Sequence, residues 1–520
     1  MDTSDAMFYC FLFFLWIISS ILVRSFVNNR WSNRTDTVRH PPSPPALPII
    51  GHLHLLISSN VPNSFQTLAR RYGPLIQLRL GTSLTFTLVS SFTVAKDILK
   101  THDSDFPTRA TVFTSGYNIY KGSTFINAPY GTYWRYLKKL CMNELLSSSQ
   151  INRSIHIREE EILKLLESLM KNSKKGEFCD LSMVLTAMTN NVICRMAMST
   201  RCSENDDEAK EIKKIVRDVF ELGRMLGVNK MMGPLGKFDI FGYEKKLGLA
   251  MGQFDRLVER IMKEHEEKEK RGCEGEGRDL MDIMLESYKD TNAEVKLTRN
   301  DVKAFFLEIF LAGTDTSSVA MQWAMAELIN HPQAFKKLRE EIDSIVGSNR
   351  LVKESDVPNL PYLRATVKET LRLHTPGPIL FRECTNDCSI NGYDFKKSKS
   401  LLVINSYAIM RDPNAWTDPD EFIPERFLVN SNSTENLGQH HMEIKGQDFR
   451  HLPFGGGRRG CPGASLASTV MQATIGALVQ CFDWKVKGGE KVDLKSGSGL
   501  LATAMAHPLL CYPITHFNPF

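Results

Sequence analysis

Among the 11 cysteines of the 520-residue sequence there is no C-x-x-C pair, and elsewhere there is no internal repeat and almost no charge imbalance. The cysteines are odd in number and scattered from Cys10 to Cys511, a pattern that fits neither a disulfide framework nor a zinc ribbon. The 64 Lys+Arg and 59 Asp+Glu leave a net charge of +5, with no basic stripe of the kind a dedicated nucleic-acid binder carries. Strand–helix alternation is also missing, which argues against a doubly wound parallel sheet. What is present is ample core material: 42% of residues are apolar and 24% charged, so global disorder is excluded. Length alone suggests about three to four domains, or one unusually large one.

Charge is absent again from Met7 to Val23, a run of 17 residues. As a helix it reaches roughly 25 Å, close to the hydrocarbon core of a thin reticulum membrane. Asp2 and Asp5 precede the run and Arg24, Arg30, Arg34 and Arg39 follow it, the reverse of the charge order in a cleaved signal peptide. The positive-inside rule then puts everything beyond residue 24 in the cytosol. The expectation is an uncleaved single-pass anchor in the endoplasmic reticulum membrane, with residues 1–6 in the lumen and the thiols kept reduced on the cytosolic side. The sequons at Asn33, Asn152 and Asn432 are then unused. Residues 24–48 read as a basic, proline-rich linker, because Pro41-Pro42-Ser43-Pro44-Pro45 favours a semi-rigid polyproline form. Residues 49–520 form the body.

Within the body, Pro74 to Ser90 alternates apolar and polar residues around Gly81 and predicts a hairpin. A second hairpin is expected over Ser389 to Asn405, with Asn391-Gly392 as its turn. Nearly everything else reads as helix. Asp255 to Lys270 reads as a solvated helix running into a mobile loop, Gly272 to Gly277. Thr298 with Asp301 resembles a capping box, from which a helix roughly thirty residues and about 45 Å long runs to Asn330, before Pro332. Its two halves, AFFLEIFLAG and VAMQWAMAELI, are apolar on nearly every face, so it should pass through the centre of the fold. The expected class is mainly α with a small β-sheet region, one large domain around a long central helix.

The stretch Phe454-Gly455-Gly456-Gly457-Arg458-Arg459-Gly460-Cys461-Pro462-Gly463 carries the most chemistry. Three glycines allow positive φ beside a bulky object. A helix beginning at Ala464 turns its positive end toward Cys461, and Arg459 places a cation two residues away. Together these are expected to lower the thiol pKa and hold Cys461 as a thiolate. No Lys-Ser/Thr follows the last glycine and no strand precedes the first, which excludes a phosphate loop and a dinucleotide fingerprint. Two readings remain: a soft metal ligand, such as the proximal ligand of haem iron, or a buried cysteine beside a helix cap.

This stretch resembles the haem-thiolate signature of the cytochromes P450, Phe-x-x-Gly-x-Arg-x-Cys-x-Gly, with Phe454, Gly457, Arg459, Cys461 and Gly463 filling every fixed position. Ala312-Gly313-Thr314-Asp315-Thr316-Ser317, which interrupts the central helix, is similar to that family's oxygen-activation motif. The resemblance implies Thr316 as the hydroxyl, Asp315 as the acid and Gly313 as the point where a ligand approaches the backbone. Read without it, the segment is a polar patch whose glycine costs about 1 kcal/mol relative to alanine, although a threonine hydroxyl there can bond back to a carbonyl. Glu369 and Arg372 resemble the family's Glu-x-x-Arg, and Arg426 in Pro424-Glu425-Arg426-Phe427 its downstream partner; the implied trio is structural. By spacing alone the first two would form a surface i,i+3 pair worth a few tenths of a kcal/mol. Trp134 and Lys138 resemble the family's Trp-x-x-x-Arg/Lys, and with Arg382 and Arg459 they are the implied contacts of the haem propionates. Lys138 stands where arginine is more usual and lacks its bidentate fork.

The similarity extends to about Phe520 and points to the plant microsomal branch, near the flavone and isoflavone synthases and triterpenoid hydroxylases. It implies a monooxygenase with haem b (iron protoporphyrin IX) held by Cys461, using O2 and electrons that NADPH supplies through a membrane-bound reductase. Lys138, Lys139 and Arg458 are the implied docking contacts. The implied pocket draws on Phe106 to Phe125, on Phe305, Phe306 and Phe310, on Thr375 to Phe381, and on Leu500 to Thr503. Its mainly apolar helix and C-terminal parts suit a large hydrophobic skeleton. A triterpenoid is the expected substrate and a flavonoid the alternative. A membrane-tethered haem or lipid binder without turnover is the alternative of another class; it would show a damaged Ala312 to Ser317 segment, which here is intact.

Overall fold

Thr298 sets where the central helix begins. Its hydroxyl accepts from the Asp301 amide at 3.2 Å, while Asp301 Oδ2 accepts from the Thr298 amide at 2.7 Å, a reciprocal cap that satisfies two end donors at once. The helix then runs over Arg299–Asn330, 32 residues, and stops before Pro332, as the sequence predicts.

The computed structural model describes residues 38–48, 50–56, 60–81, 84–110, 124–201, 242–271, 278–428, 448–489, 491–497 and 504–520, with scattered single positions elsewhere. Among the described residues the longer helices are α1 (Val61–Tyr72), α2 (Thr132–Glu144), α3 (Ile155–Lys175), α4 (Leu181–Met198) and α5 (Tyr243–Lys270). They continue with α6 (Leu280–Lys289), α7 (Arg299–Asn330), α8 (Pro332–Val346), α9 (Pro361–Leu373) and α10 (Ala464–Cys481). The strands are β1 (Leu75–Leu80), β2 (Leu84–Val89), β3 (Cys179–Asp180), β4 (Ile379–Glu383) and β5 (Cys388–Ile390), then β6 (Tyr393–Phe395), β7 (Leu401–Asn405), β8 (Phe482–Val486) and β9 (Leu510–Thr515). The class is mainly α with small sheets.

The main sheet has the order β1-β2-β7-β4. The first hairpin forms where expected, with Leu75 opposite Val89. The second is shorter than expected. Asn391 and Gly392, at φ 51° and 81°, make the tight turn joining β5 to β6, but Leu401–Asn405 leaves to lie between β2 and β4. Leu-Leu-Val-Ile-Asn is apolar on both faces and nearly all buried, so a central sheet position suits it better than an exposed hairpin.

One hydrophobic core runs from Phe125 to Cys511, and two smaller clusters lie around the main sheet. The central helix α7 is enclosed by α4, α10, α9 and α5. Of the expected anchor, Leu12, Phe13, Leu15, Trp16 and Ser19 are described, all helical with exposed side chains. The rest of residues 7–23, Arg24, Arg30 and Arg34, the sequons at Asn33 and Asn432, and Gly272 to Gly277 lie outside the described residues.

Candidate active site

Glycine geometry shapes the loop that presents Cys461. Gly455 and Gly457 have φ +68° and +69°, left-handed values that L side chains rarely adopt. A Cβ on Gly457 would press on the Asp103 carboxylate and lie 2.7 Å from the Leu99 carbonyl. The glycine thus lets Asp103 come close enough to accept from the Arg458 amide at 3.0 Å. The loop closes with the Cys461 amide donating to the Phe454 carbonyl at 2.9 Å. Gly463 caps α10 and gives its own amide to the Cys461 sulfur.

Cys461 is exposed as a residue, yet burial is the largest influence on its thiol. Burial pushes the thiol up, against the pull of the Gly463 amide and Arg109. Two of the influences expected on the sulfur differ in the chain alone. Desolvation outweighs the donors of the polypeptide, and the cation acting on the sulfur is Arg109 and not Arg459. A coordinated metal ion would supply the remaining positive charge, since it deprotonates a ligating thiol outright.

The central helix opens at one place. From Asp301 to Leu328 Ala312 is the single exposed residue, while Asp315 and Thr316 are half-buried. Thr316 Oγ1 donates to the Ala312 carbonyl at 2.5 Å, the back-bond available to a mid-helix threonine. Glu308, Ala312 and Thr316 are spaced by four and share one face. Gly313 does not. A Cβ there would lie 2.5 Å from Ile193 Cγ1 and 2.7 Å from its Cδ1. The expectation that Gly313 admits a ligand is corrected: its missing side chain makes room for α4. Behind the motif, Thr189 of α4 donates to the Thr314 carbonyl at 2.8 Å, and the Thr314 hydroxyl donates to Asn190 Oδ1 at 3.3 Å.

Three guanidiniums gather beside the cysteine loop. Burial, then Arg109 and Arg459, push Arg382 down to about 9, and burial with Arg109 pushes Arg459 down to about 9. Arg109 is itself lowered by burial, against Glu308 and Cys461, and its buried Nε has no hydrogen-bond partner among the described residues. Arg382 donates to the Gly456 carbonyl at 3.1 Å. Arg459 donates to the carbonyls of Pro107 and Ala128 at 2.7 and 2.5 Å and lies 4.3 Å from the Trp134 ring. Trp134 is buried between Phe125 and Tyr130. Lys138 turns inward, its Nζ donating to the Arg458 carbonyl at 2.7 Å, and Arg458 pairs with Asp103 at 3.1 Å. Of the three expected docking contacts, Lys139 is the exposed one without such an engagement.

The Glu-x-x-Arg pair is far from a surface pair. Glu369 and Arg372 are both 0% exposed, joined by two bonds of 2.7 and 2.8 Å. Arg426 Nε donates to Glu369 Oε1 at 3.0 Å, and the Ile423 amide to the same oxygen at 2.9 Å. Arg372 also donates to the carbonyls of Met410, Pro419 and Glu421, so the trio ties α9 to the segment leading toward the cysteine loop.

Two residues of the site escape the sequence reading. Glu308 accepts from the Ile126 amide through both oxygens, at 3.1 and 2.9 Å, and burial pushes its carboxyl up to about 8. The signal was available: it is the one charged residue between Lys303 and Asp315. Arg109, in a run of small and hydroxylated residues, carries no such signal. Conversely, Phe305, Phe306 and Phe310 are fully buried against Phe125, one another and Phe254, so they are core and not the accessible lining expected of them. Phe106 is likewise core, edge-on to Phe395. Residues 111–119, 121–123 and Leu500 to Thr503 lie outside the described residues.

A family model, Cytochrome P450, matches residues 41–510. The chain belongs to the cytochrome P450 family. This P450 is 42% identical to beta-amyrin 24-hydroxylase of Glycine max over 98% of both chains. It is 41% identical to 3,9-dihydroxypterocarpan 6A-monooxygenase of Glycine max over 92% of this chain and 94% of that one. With cytochrome P450 705A12 of Arabidopsis thaliana it shares 43% identity over 92% of each. It is a haem-thiolate monooxygenase of plant specialised metabolism. The P450 site fits the cofactor of its family: buried guanidiniums short of negative charge, an Arg109 Nε without a partner among the described residues and an exposed cysteine suit a dianionic iron porphyrin.

Proposed function

We propose that this P450 oxidises a triterpenoid, with a flavonoid-type skeleton as the second reading. The observation that carries the first is the 42% identity to beta-amyrin 24-hydroxylase across 98% of both chains. The second is favoured by the 41% identity to 3,9-dihydroxypterocarpan 6A-monooxygenase.

In the proposed site Cys461 would hold the haem iron through its sulfur, with Phe454, Gly457 and Gly463 shaping its loop. Arg109, Arg382, Arg459 and Lys138, beside Trp134, are the cations available to the propionates. Haem, when bound, supplies O2 reduction and C–H oxidation, and the cysteine ligand's electron donation favours O–O cleavage. The chain's own part is placement and proton supply. Ala312 is the exposed point of the central helix, Thr316 presents a hydroxyl one turn further on, and Asp315 is the acid that replenishes that hydroxyl's proton. Glu308 holds the Phe125–Ile126 backbone against α7 on the same helix face. Glu369, Arg372 and Arg426 fix the framework behind the loop.

Electrons reach the site from a membrane-bound NADPH reductase, for which the exposed Lys139 and Arg135 are proposed contacts. Residues 7–23 anchor the chain in the endoplasmic reticulum membrane, with 1–6 lumenal, 24–48 a linker and 49–520 cytosolic. Exposed Leu47, Ile50 and Leu53 extend apolar surface from that linker, which supports contact with lipid.

The test is turnover in microsomes containing reductase, on a panel of triterpenes and flavonoids with product analysis. Oxidation of triterpenes, with flavonoids untouched, is expected. Turnover of flavonoids alone would select the second reading.

A further inference from the structure

The corner where α4, α5 and α6 meet holds polar side chains that take no part in the site above. His265, near the C-terminal end of α5, is 5% exposed. Its Nδ1 lies 2.7 Å from Asp282 Oδ1. Its Nε2 lies 3.1 Å from the Met198 carbonyl oxygen at the end of α4, and 3.8 Å from Asp279 Oδ2. Asp279 caps α6, accepting from the Asp282 amide through Oδ1 at 3.0 Å. Its side chain is 7% exposed, and its Oδ2 is buried with no hydrogen-bond partner in normal geometry among the described residues. Burial pushes the Asp279 carboxyl up, against the pull of His265, the Asp282 amide and the Ser199 hydroxyl.

A capping carboxylate needs one oxygen to cap. The other normally finds a donor or water, and leaving it buried and unpaired is unfavourable. A ring proton on His265 Nε2 points at one acceptor, so it serves the Met198 carbonyl or Asp279 Oδ2 and not both. The Met198 carbonyl also accepts from the Thr200 hydroxyl at 3.0 Å, so Asp279 Oδ2 is the acceptor left over, and a cation between the three atoms engages it while using the carbonyl's second lone pair. The separations suit it, because ligands 2.0–2.2 Å from a tetrahedral zinc lie about 3.4 Å apart, and 3.1 and 3.8 Å bracket that value. The Asp282 carboxylate on Nδ1 is the outer contact that fixes a metal-ligating histidine with Nε2 free of a proton. With the imidazole neutral, two carboxylates balance a divalent ion.

We propose that His265 Nε2, Asp279 Oδ2 and the Met198 carbonyl form a site for a divalent transition cation of the zinc type, oriented by Asp282 and open to a water as fourth ligand. Its position gives it a task. It joins the ends of three helices, and α5 carries Phe254, whose ring lies 5.1 Å from that of Phe310 on the central helix. On the same helix Asp255 and Glu259 pair with Lys303 of α7 at 3.0 and 2.9 Å. A metal at the corner therefore braces the helix that covers α7.

The test uses the full-length holoenzyme, dialysed against a weak chelator, with zinc counted per haem by mass spectrometry and unfolding followed as zinc is added. One zinc per haem, and an unfolding temperature that rises by several degrees in micromolar zinc, are expected. Asp279→Asn and His265→Gln should lose both, while Asp282→Asn should weaken zinc affinity about 10–100-fold. Haem content in these variants should match the parent. No zinc above background and no zinc-dependent shift in the parent protein would overturn the proposal. So would zinc that survives Asp279→Asn but is lost in Cys388→Ala, which would put the metal at the His102–Asp105–Cys388 group instead. If Asp279→Asn fails to fold, the parent stoichiometry together with Cys388→Ala and Asp282→Asn still decides.

Discussion

Both carboxylate oxygens of Glu308 accept from the backbone amide of Ile126, at 3.1 and 2.9 Å, so one acid of the central helix holds the loop that runs from Phe125 toward Trp134. Burial, the largest influence, lifts this carboxyl to about 8 from an ordinary 4.5. The folded chain then binds that proton more tightly than the unfolded chain does. The group's contribution to stability is full below about pH 4.5 and is lost as pH rises toward 8. Glu308→Gln keeps an acceptor and removes the charge. Unfolding measured between about pH 5 and pH 8 should show the variant gaining on the parent as pH rises, by up to a few kcal/mol. Parallel pH profiles would contradict this.

Gly313 tests whether helix packing or ligand access explains a glycine in the oxygen motif. Gly313→Ala puts a methyl 2.5 Å from Ile193 Cγ1 and should destabilise by about 1–3 kcal/mol. Ile193→Ala in the same chain should recover most of that loss. Recovery is read from thermal unfolding of the double variant; if the losses add instead, the two residues are not coupled.

Thr316 presents the proposed proton-donating hydroxyl. Thr316→Ala should lower product formation by about 100-fold while NADPH consumption continues, because electron delivery does not pass through this side chain. A matched fall in both would place its role elsewhere. Thr316→Ser, which restores a hydroxyl, should return part of the coupling.

The buried trio predicts a structural penalty. Glu369→Ala strands two guanidiniums, Arg372 at 0% and Arg426 at 11% side-chain exposure, and should cost about 3–5 kcal/mol. Chains recovered from expression should carry far less haem than the parent. Full haem content with unchanged unfolding would show that the trio does not support the cysteine loop.

Much of this architecture is legible in local chemistry. Thr298, Asp301 and Pro332 mark both ends of α7, and Asn391-Gly392 marks the turn from β5 to β6, because caps and turns are decided by a few adjacent residues. Partner choice is not local. Nothing in Leu401–Asn405 says that it leaves its hairpin for β2 and β4, and Gly313 looks the same in sequence whether it faces a ligand or Ile193. The charge state of Cys461 is a contest of magnitudes: glycine amides and arginines are visible in sequence, but the burial that outweighs them is not. Arg109 joins the cations by the path of the chain alone, whereas Glu308, an acid inside an apolar run, could have been found.

The central claim is that Cys461 is the thiolate ligand of haem in this chain. The most direct measurement is the reduced-CO difference spectrum of the parent and of Cys461→His, with haem content determined alongside. The parent should give the red-shifted Soret band of a thiolate-ligated haem, and Cys461→His should lose that band while any retained haem absorbs as a nitrogen-ligated one. A parent lacking the thiolate-type band, or a variant that keeps it, would contradict the account.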